Sequence, residues 1–429
     1  AWHRAMIRRV RTIARTLGRP VAILQDLGGP KIRIARSFPE PLELSAGTEV
    51  VLAERSSRAA GAWLAFSEPA VVKALKPGHR VLLADGTVEL RVTRRGTAGL
   101  SARVERGGPV RPRAGVNLPD THLALPSLTP RDLADVELGV REGVDWIALS
   151  FVRHARDVKA LKAVLRRLRA DIPVMAKIEK PQALDGLEGI LDAADGAMVA
   201  RGDLGVELAL ENVPLAQKRI IRECRRRAIP VITATQMLES MVRNEVPTRA
   251  EVSDVANAIL DGTDAVMLSA ETSIGDNPVL ACSTANRICR VVEPEELAPL
   301  RAWPEPLGGI EGAVARAAVS MARELGASAL LACTLSGRTA RLVSALRPSA
   351  PLVAVTPDER TRRRLALLWG VEPCCCTGPG GTDCMLRDAL AAARREGLAI
   401  EGRPFVVIAG SSPDDPGRTN LIRVEGGPA

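Results

Sequence analysis

The sequence predicts an α/β protein built on a (β/α)8-type (TIM) barrel, with a small all-β domain inserted in it and a separate α/β domain after it. Three observations lead to this prediction. Short apolar runs alternate with amphipathic helical stretches in the middle of the chain, which is typical of a parallel sheet covered by helices. Short β segments with turn-forming dipeptides interrupt the alternation, and new apolar strands follow a proline-rich segment near residue 300.

The bulk composition narrows the functional class. A chain of 429 residues is long enough for two or three domains. The net charge of +9 comes from 51 arginines against eight lysines, and no basic stripe alternates with stacking aromatic residues. A basic nucleic-acid-binding face is therefore disfavoured against a diffuse charge that attracts small anions. No apolar run reaches the length of a membrane span, and the eight cysteines show no disulfide or metal spacing.

The barrel elements follow one plan, in which an apolar run ends in polar residues and an amphipathic helix follows. Successive runs from the second onward begin 23 to 35 residues apart, which fits one strand, one helix and two loops. The predicted strands are Val21–Asp26, Asp145–Phe151, Pro173–Glu179, Gly196–Asp203, Pro230–Gln236 and Ala265–Glu271.

Polar residues at the ends of these strands distinguish a closed barrel from an open sheet. In a barrel the carboxyl ends of the strands converge on one mouth, where active sites lie, whereas an open sheet would spread them along an edge. Six strands are present where eight are needed, so we expect a barrel that lacks its first two strands. The strand-end residues are Asp26, Lys177, Glu179, Asp203, Thr235 and Glu271.

Three domains follow from this reading. We expect residues 1–30 and 117–298 to form the barrel, residues 31–116 to form a β lid, and residues 299–429 to form the C-terminal α/β domain. The predicted strands of the C-terminal domain are Ala329–Cys333, Leu352–Thr356 and Phe405–Ala409. A lid suits phosphoryl transfer because it excludes the water that would otherwise accept the phosphoryl group.

One cluster carries the predicted chemistry. Lys177 and Glu179 are two residues apart on one strand and therefore point to the same side. Together with Asp203 they suit a hard divalent cation and an anionic substrate, and Thr235 adds a hydroxyl. Each residue alone is better explained by a surface salt bridge, whereas the set, on strand ends of one sheet, favours a site. No phosphate-binding loop or protein-kinase motif is present, so a nucleotide would be held in another way.

A second candidate site lies in the C-terminal domain, at the tight turn Ser336–Thr339 after a predicted strand. Hydroxyls, amides and an arginine at a strand-to-helix turn suit a phosphate group. An ordinary capped helix start fits the same residues equally well.

Several motifs in order resemble the pyruvate kinase family from about residue 20 to the end of the chain. Because the matches are independent and occur at family-like spacing, they are far more specific than any one motif. They are DLGGPKIR at 26–33, GVNLP at 115–119, KIE at 177–179, MVARGDLG at 198–205, TQMLESM at 235–241, PTRAE at 247–251 and DVAN at 254–257.

The resemblance implies phosphoryl transfer from phosphoenolpyruvate to ADP, giving pyruvate and ATP in glycolysis. It implies that Lys177 stabilises the phosphoryl group in flight and that Glu179 and Asp203 hold Mg²⁺ or Mn²⁺. It also implies that the backbone at Gly202 and Asp203, with Thr235, holds the substrate carboxylate. These roles come from the resemblance and not from spacing.

The resemblance also implies a nucleotide contact and a monovalent-cation region. Arg33 would contact the nucleotide phosphates. Asp26 and Lys31 would lie where many members bind K⁺; members with lysine at the position of Lys31 use its ammonium instead. We therefore expect activity without added K⁺.

Regulation and assembly are implied in the same way. The family is typically a homotetramer and cytoplasmic, and its C-terminal domain binds a phosphorylated effector. The matching effector residues here are Thr334, Ser336, Gly337, Arg338 and Thr339. We expect no nucleic-acid or membrane partner.

Departures from the family pattern leave alternative functions open. An Arg-x-Asn-x-Ser-His segment that binds substrate and nucleotide in the family has no counterpart here, and Ala114 replaces a lysine that contacts nucleotide. A truncated, catalytically impaired remnant that still binds a phosphorylated metabolite is one alternative. A metal-dependent phosphoenolpyruvate or pyruvate lyase is another. The basic first helix also resembles a mitochondrial transit peptide, although an outer barrel helix is the preferred interpretation.

Overall fold

The computed structural model describes residues 2–35, 42–54, 63–97, 99–121, 123, 125–301, 307–376, 382–410 and 419–426. The chain begins with helix α1 (Trp2–Thr16), followed by strand β1 (Leu24–Asp26). The basic face of α1 is fixed to the barrel by ion pairs. Arg8 pairs with Glu142 at 3.0 Å, and Arg11 pairs with buried Asp145 at 2.5 Å. The first segment is thus a helix docked on the barrel.

A small β domain follows β1 and has its own hydrophobic core. Its main sheet has the order β4-β3-β7-β6-β5-β9, and β2 pairs with β8. Apolar residues that alternate along β6 and β7 face this core, which is why the segment folds as a separate unit. Its elements are β2 (Leu42–Leu44), β3 (Glu49–Ala53), β4 (Trp63–Ala65), α2 (Ala70–Ala74), β5 (Arg80–Leu83), β6 (Val88–Gly96), β7 (Gly99–Arg106), β8 (Gly108–Val110) and β9 (Val116–Asn117).

The βα alternation resumes after β9. The helices are α3 (Pro130–Glu142), α4 (Ala155–Arg167), α5 (Pro181–Asp185), α6 (Leu187–Ala193), α7 (Arg201–Glu207), α8 (Val213–Arg226), α9 (Arg249–Leu260), α10 (Ala270–Ser273) and α11 (Pro278–Arg301). The strands are β10 (Trp146–Leu149), β11 (Val174–Ile178), β12 (Gly196–Ala200), β13 (Val231–Ala234) and β14 (Ala265–Met267). Short 3-10 helices span Leu210–Asn212 and Glu239–Val242.

The six barrel strands form one parallel sheet in the order β1-β10-β11-β12-β13-β14. Alternate residues of each strand face opposite sides. Val174, Ala176 and Ile178 pack against the covering helices, whereas Met175 belongs to the inner cluster. The same alternation places Lys177 on the inner side of β11, at its carboxyl end. The predicted α/β class is confirmed.

Two residues that the sequence places at strand ends lie in helices in the structure. Asp203 was expected at the end of a strand, but β12 ends at Ala200 and Asp203 lies in the first turn of α7. Glu271 likewise lies in α10. A glycine-rich run after an apolar strand has no pattern that separates strand end from helix start. The predicted domain limits at 116/117 and 298/299 fall within β9 and α11, respectively.

The C-terminal domain is a second α/β unit with sheet order β17-β16-β15-β18-β19, in which only β19 is antiparallel. Three of its strands lie where the sequence predicts them. β17 and β19 were missed because β17 contains a proline and β19 is an exposed edge strand. The elements are α12 (Gly309–Glu324), β15 (Ala329–Cys333), α13 (Arg338–Ala345), β16 (Leu352–Thr356), α14 (Glu359–Leu365), β17 (Val371–Cys375), α15 (Thr382–Arg395), β18 (Phe405–Ala409) and β19 (Leu421–Glu425).

Polar contacts join this domain to the barrel. The side chain of Arg347, which is 1% exposed, lies 3.1 Å from Asp264. The indole N–H of Trp369 donates to Glu293 at 3.0 Å. Within the described part of the chain, no helix has the length and apolar character needed to cross a membrane.

Candidate active site

Lys177 is the centre of a charged cluster at the carboxyl end of β11. Its ammonium nitrogen lies 3.0 Å from a carboxylate oxygen of Asp26 and 3.0 Å from one of Glu179. It also donates to the hydroxyl of Ser150 at 3.0 Å. The side chain is 12% exposed, so these electrostatic contacts act in a poorly solvated environment.

Glu179 is fully buried, and its position depends on an unusual backbone turn. One carboxylate oxygen accepts the N–H of Phe151 at 2.7 Å, and Phe151 has a left-handed φ of 54°. Gly29 lies against this turn, where a Cβ atom would come within 2.9 Å of the Phe151 ring. The other oxygen of Glu179 faces Lys177, but no described residue gives it a well-directed hydrogen bond.

Opposing effects set the ionisation of this pair. Burial lowers the pKa of Lys177, but the carboxylates of Glu179 and Asp26 outweigh burial and raise it to about 12. Burial raises the pKa of Glu179; the Lys177 ammonium opposes this effect and Asp203 adds to it. Lys177 is therefore a fixed positive charge at neutral pH. Glu179 is a carboxylate whose ionised form needs a nearby cation.

Asp203 and Lys31 form a second pair at the same mouth. Their nearest nitrogen and oxygen atoms are 3.7 Å apart, and about a quarter of the Asp203 side chain and a third of the Lys31 side chain are exposed. Lys31 is the first residue of the lid segment, shortly after β1, whereas Asp203 comes from α7. The pair therefore joins the lid entrance to the barrel.

A strained turn after β13 completes the cluster. The hydroxyl of Thr235 accepts the N–H of Gly202 at 2.8 Å, and Thr235 itself has a φ of 70°. Left-handed backbone is costly for a β-branched residue. Arg201 holds it in place by donating to the Thr235 carbonyl at 2.6 Å and by pairing with Asp254 at 2.6 Å.

The acidic residues fit a divalent cation that is completed by a substrate. No group of three or more metal-binding side chains occurs among the described residues, so a purely protein-made metal cage is not seen there. Mg²⁺ commonly takes one or two carboxylates and fills its other positions with phosphate oxygens and water. The buried oxygen of Glu179 that lacks a well-directed donor, with Asp203 nearby, matches that requirement.

Arg33 lies apart from the charged cluster. Its backbone forms an isolated antiparallel β-bridge with Gly115 at the base of the lid. Its guanidinium donates to the Arg113 carbonyl at 3.1 Å. Among the described contacts, none joins it to Lys177. The structure therefore brings together Asp26, Lys31, Lys177, Glu179, Gly202, Asp203 and Thr235 in two adjoining clusters, but not Arg33.

The predicted effector residues form a closed turn in the C-terminal domain. The N–H of Gly337 donates to the Thr334 hydroxyl at 3.0 Å, and Gly337 has a φ of 83°. The hydroxyl of Thr339 shares a 2.7 Å hydrogen bond with another buried threonine, and Arg338 lies 3.6 Å from Glu311. The predicted residues are Thr334, Ser336, Gly337, Arg338 and Thr339.

Sequence reasoning missed the residues that position the cluster. Ser150 and Phe151 directly follow β10, so their place at a strand end was a usable signal. Arg201 and Asp254 lie in motifs that were noted only for their resemblance. Glu271 was noted as a strand-end residue, but its buried carboxylate accepts the N–H of Leu238 at 3.0 Å and so supports the Thr235 loop.

A cavity of about 850 Å³ opens between the lid and the barrel beside the charged pair of Lys31 and Asp203. Glu207 is buried at its edge, where it accepts a 3.0 Å hydrogen bond from Asn117 and pairs with Lys180. The volume lies within the range of small-molecule sites. The cavity borders Asp203, whereas Lys177 and Glu179 are not part of its lining.

The fold and this cluster define an enzyme class: a barrel enzyme that uses a divalent metal and acts on an anionic substrate. Two models of one protein family match most of this chain. The model "Pyruvate kinase, barrel domain" matches residues 1–282, and the model "Pyruvate kinase, alpha/beta domain" matches residues 312–425.

Individual proteins of the same family are similar to nearly the whole chain. The chain is 42% identical to Pyruvate kinase 2 of Synechocystis sp. over 99% of its own length and 72% of the relative. It is 43% identical to a pyruvate kinase of Methylorubrum extorquens over 97% of its length and 87% of the relative. For a pyruvate kinase of Geobacillus stearothermophilus the identity is 41%, covering 98% of this chain and 73% of the relative. The chain belongs to the pyruvate kinase family, whose members are phosphotransferases that use a divalent metal ion.

Proposed function

We propose that this chain transfers a phosphoryl group from phosphoenolpyruvate to ADP and so forms pyruvate and ATP in glycolysis. The observation that supports this best is the position of Lys177, a buried ammonium between the carboxylates of Asp26 and Glu179. A fixed positive charge beside a metal-binding carboxylate is what phosphoryl transfer needs, because its catalysis is mostly positioning and charge neutralisation.

In this proposal Lys177 stabilises the phosphoryl group as it moves and does not exchange a proton. Its pKa of about 12 keeps it charged over the whole neutral range. Glu179 and Asp203 would hold Mg²⁺ or Mn²⁺, which would neutralise charge on the phosphate and on the developing enolate. Phe151 keeps Glu179 in place through its N–H, so the carboxylate need not reorganise during the reaction.

The turn beside β13 is the proposed site of the substrate carboxylate. The N–H groups of Gly202 and Asp203 are in the first turn of α7, where backbone N–H groups have no partner within the helix. In the structure the Gly202 N–H is bonded to the Thr235 hydroxyl. A substrate carboxylate would replace that hydroxyl as acceptor. The Thr235 hydroxyl, which donates to the Ala234 carbonyl at 2.6 Å, would then turn to donate to the substrate carboxylate.

Two further roles are proposed at the lid. Arg33 would contact the nucleotide phosphates, which requires the lid to bring it toward the barrel mouth. Lys31, through its 3.7 Å contact with Asp203, would supply the positive charge that K⁺ supplies in other members, while Asp26 lies nearby on the Lys177 side. Activity would then not need K⁺.

Regulation, assembly and location follow from the family. We propose that the turn Thr334–Thr339 binds a phosphorylated effector, with Ser336, Gly337 and Arg338 at the ligand. We further propose a cytoplasmic homotetramer. Neither a lyase nor a non-catalytic remnant is favoured, because the relatives described above are named pyruvate kinases.

The test is product formation from phosphoenolpyruvate with ADP and Mg²⁺, each omitted in turn. Pyruvate and ATP should appear in equal amounts and only when both are present. Pyruvate released without ADP would instead indicate a lyase or phosphatase. No product under any condition would mean that the chain is a non-catalytic binding protein.

A further inference from the structure

A second cavity, of about 590 Å³, lies between the barrel and the C-terminal domain. On the barrel side it is bounded by α4 and by the segment that leads into β11. That segment meets the amino end of β11, so the cavity lies away from the mouth that holds Lys177. We call this cavity the interdomain cleft. Its basic lining residues are Lys162, Arg166, Arg341 and Arg364.

The acidic residues of the interdomain cleft are already engaged. Asp195 pairs with Lys162 at 2.9 Å, and Asp171 pairs with Arg364 at 3.2 Å. Asp358 caps α14 by accepting backbone N–H groups of its first turn at 3.0 and 3.2 Å. Each of these carboxylates already has a partner, and the charge of Asp195 acts on Arg341 without a direct ion pair.

Arg341 and Arg166 are the cations that remain. In the described part of the chain, no carboxylate or carbonyl forms an ion pair or hydrogen bond with either guanidinium. Burial lowers the pKa of Arg341, an effect that the nearby Asp195 opposes and the Arg338 charge strengthens. Keeping a half-buried guanidinium without an acceptor costs free energy, and an anion in the cleft would remove that cost.

The other walls of the interdomain cleft are apolar. They are formed by leucine side chains from both domains and by Pro173, and they leave far more room than a phosphate ion needs. A ligand that fits must therefore carry a phosphate at one end and an apolar or ring-shaped body at the other. The lining leucines are Leu165, Leu335, Leu365 and Leu368.

We propose that the interdomain cleft binds a phosphate-bearing small molecule, with its phosphate between Arg341 and Arg166 and its apolar part against the leucines. This inference does not rest on the effector turn proposed above. Ser336 and Gly337 border the cleft, but Arg338 pairs with Glu311 and is not part of the lining. Arg341 thus belongs to the cleft lining, whereas Arg338 belongs to the effector turn.

Isothermal titration of the full chain without Mg²⁺, using phenyl phosphate and inorganic phosphate as probes, tests the proposal. Phenyl phosphate should bind at least about fivefold more tightly than inorganic phosphate, because its ring adds apolar contact. Arg341→Gln should weaken phenyl phosphate binding by at least about tenfold, since it removes charge-assisted hydrogen bonds. The matched variant Arg360→Gln, at an exposed arginine outside the cleft lining, should bind within about twofold of the wild type.

The opposite pattern overturns the proposal. Unchanged binding by Arg341→Gln, an equal loss of binding by Arg360→Gln, or no binding of phenyl phosphate to the wild type would each exclude the cleft. If Arg341→Gln melts before binding can be measured, Arg166→Gln replaces it, because Arg166 is exposed and its loss leaves the core intact. Arg166→Gln should weaken binding by about threefold or more, and unchanged binding there excludes the proposal.

Discussion

Replacing Lys31 with glutamate should convert an enzyme that is indifferent to K⁺ into one that requires it. The Lys31 ammonium lies 3.7 Å from the Asp203 carboxylate, which we propose as a metal ligand. Glutamate would remove this positive charge and add a negative one beside Asp203. A K⁺ bound beside the new glutamate of this variant would then restore positive charge next to Asp203.

The size of the effect follows from that distance. Two unit charges about 4 Å apart interact by about 4 kcal/mol at an effective dielectric of about 20. Because both side chains are partly exposed, solvent screening reduces this to about 1–2 kcal/mol. The charge reversal replaces attraction by repulsion of similar size, so the loss in kcat/KM is about 2–4 kcal/mol, and the middle of that range is roughly a hundredfold.

The assay is kcat/KM for phosphoenolpyruvate, measured with K⁺ and with tetramethylammonium at equal ionic strength. The wild type should give the same value in both salts. Lys31→Glu should lose roughly a hundredfold in tetramethylammonium and recover most of it in K⁺, and Lys31→Met should lose about tenfold. A wild type that is inactive without K⁺ would show that the Lys31 ammonium does not replace the cation.

Two stability predictions follow from buried carboxylates. Because burial raises the pKa of Glu179, its ionised form destabilises the metal-free fold above that pKa. Relative to the wild type, Glu179→Gln should therefore gain melting temperature as the pH rises from 5 to 8 in EDTA, because only the wild type has this carboxylate to ionise; a difference that does not change with pH would contradict this. Glu207→Gln leaves the ammonium of Lys180 without its charge partner. It should lower the free energy of unfolding by about 2 kcal/mol in urea titrations, whereas Glu105→Gln, at an exposed pair, should change it by less than about 0.5 kcal/mol. Equal losses of unfolding free energy in Glu207→Gln and Glu105→Gln would contradict the claim that burial makes the ion pair of Glu207 matter more.

Much of the fold could be predicted because apolar periodicity marks buried strands strongly. β15, β16 and β18 begin and end where the sequence predicts them. β19 could not be predicted, since an edge strand with alternating charges buries too little to leave a pattern. Likewise, the start of α7 at Arg201 depends on tertiary contacts that periodicity does not encode.

The main residues of the candidate site could be predicted from the sequence, but the hydrogen bonds and ion pairs that position them could not. Lys177 and Glu179 follow from the two-residue period of a strand. The role of Phe151 could not be found, because its N–H reaches Glu179 only through a left-handed turn that Gly29 accommodates. Arg201 was also missed, since its partner Asp254 is 53 residues away in the sequence.

The central claim is that the Lys177 ammonium stabilises the phosphoryl group in transfer. The most direct measurement is the rate of ATP formation from phosphoenolpyruvate and ADP with saturating Mg²⁺, for the wild type, Lys177→Gln and the exposed-lysine control Lys159→Gln. We predict that kcat falls by about a thousandfold in Lys177→Gln and stays within about twofold in Lys159→Gln. A Lys177→Gln enzyme that keeps its kcat would contradict the account.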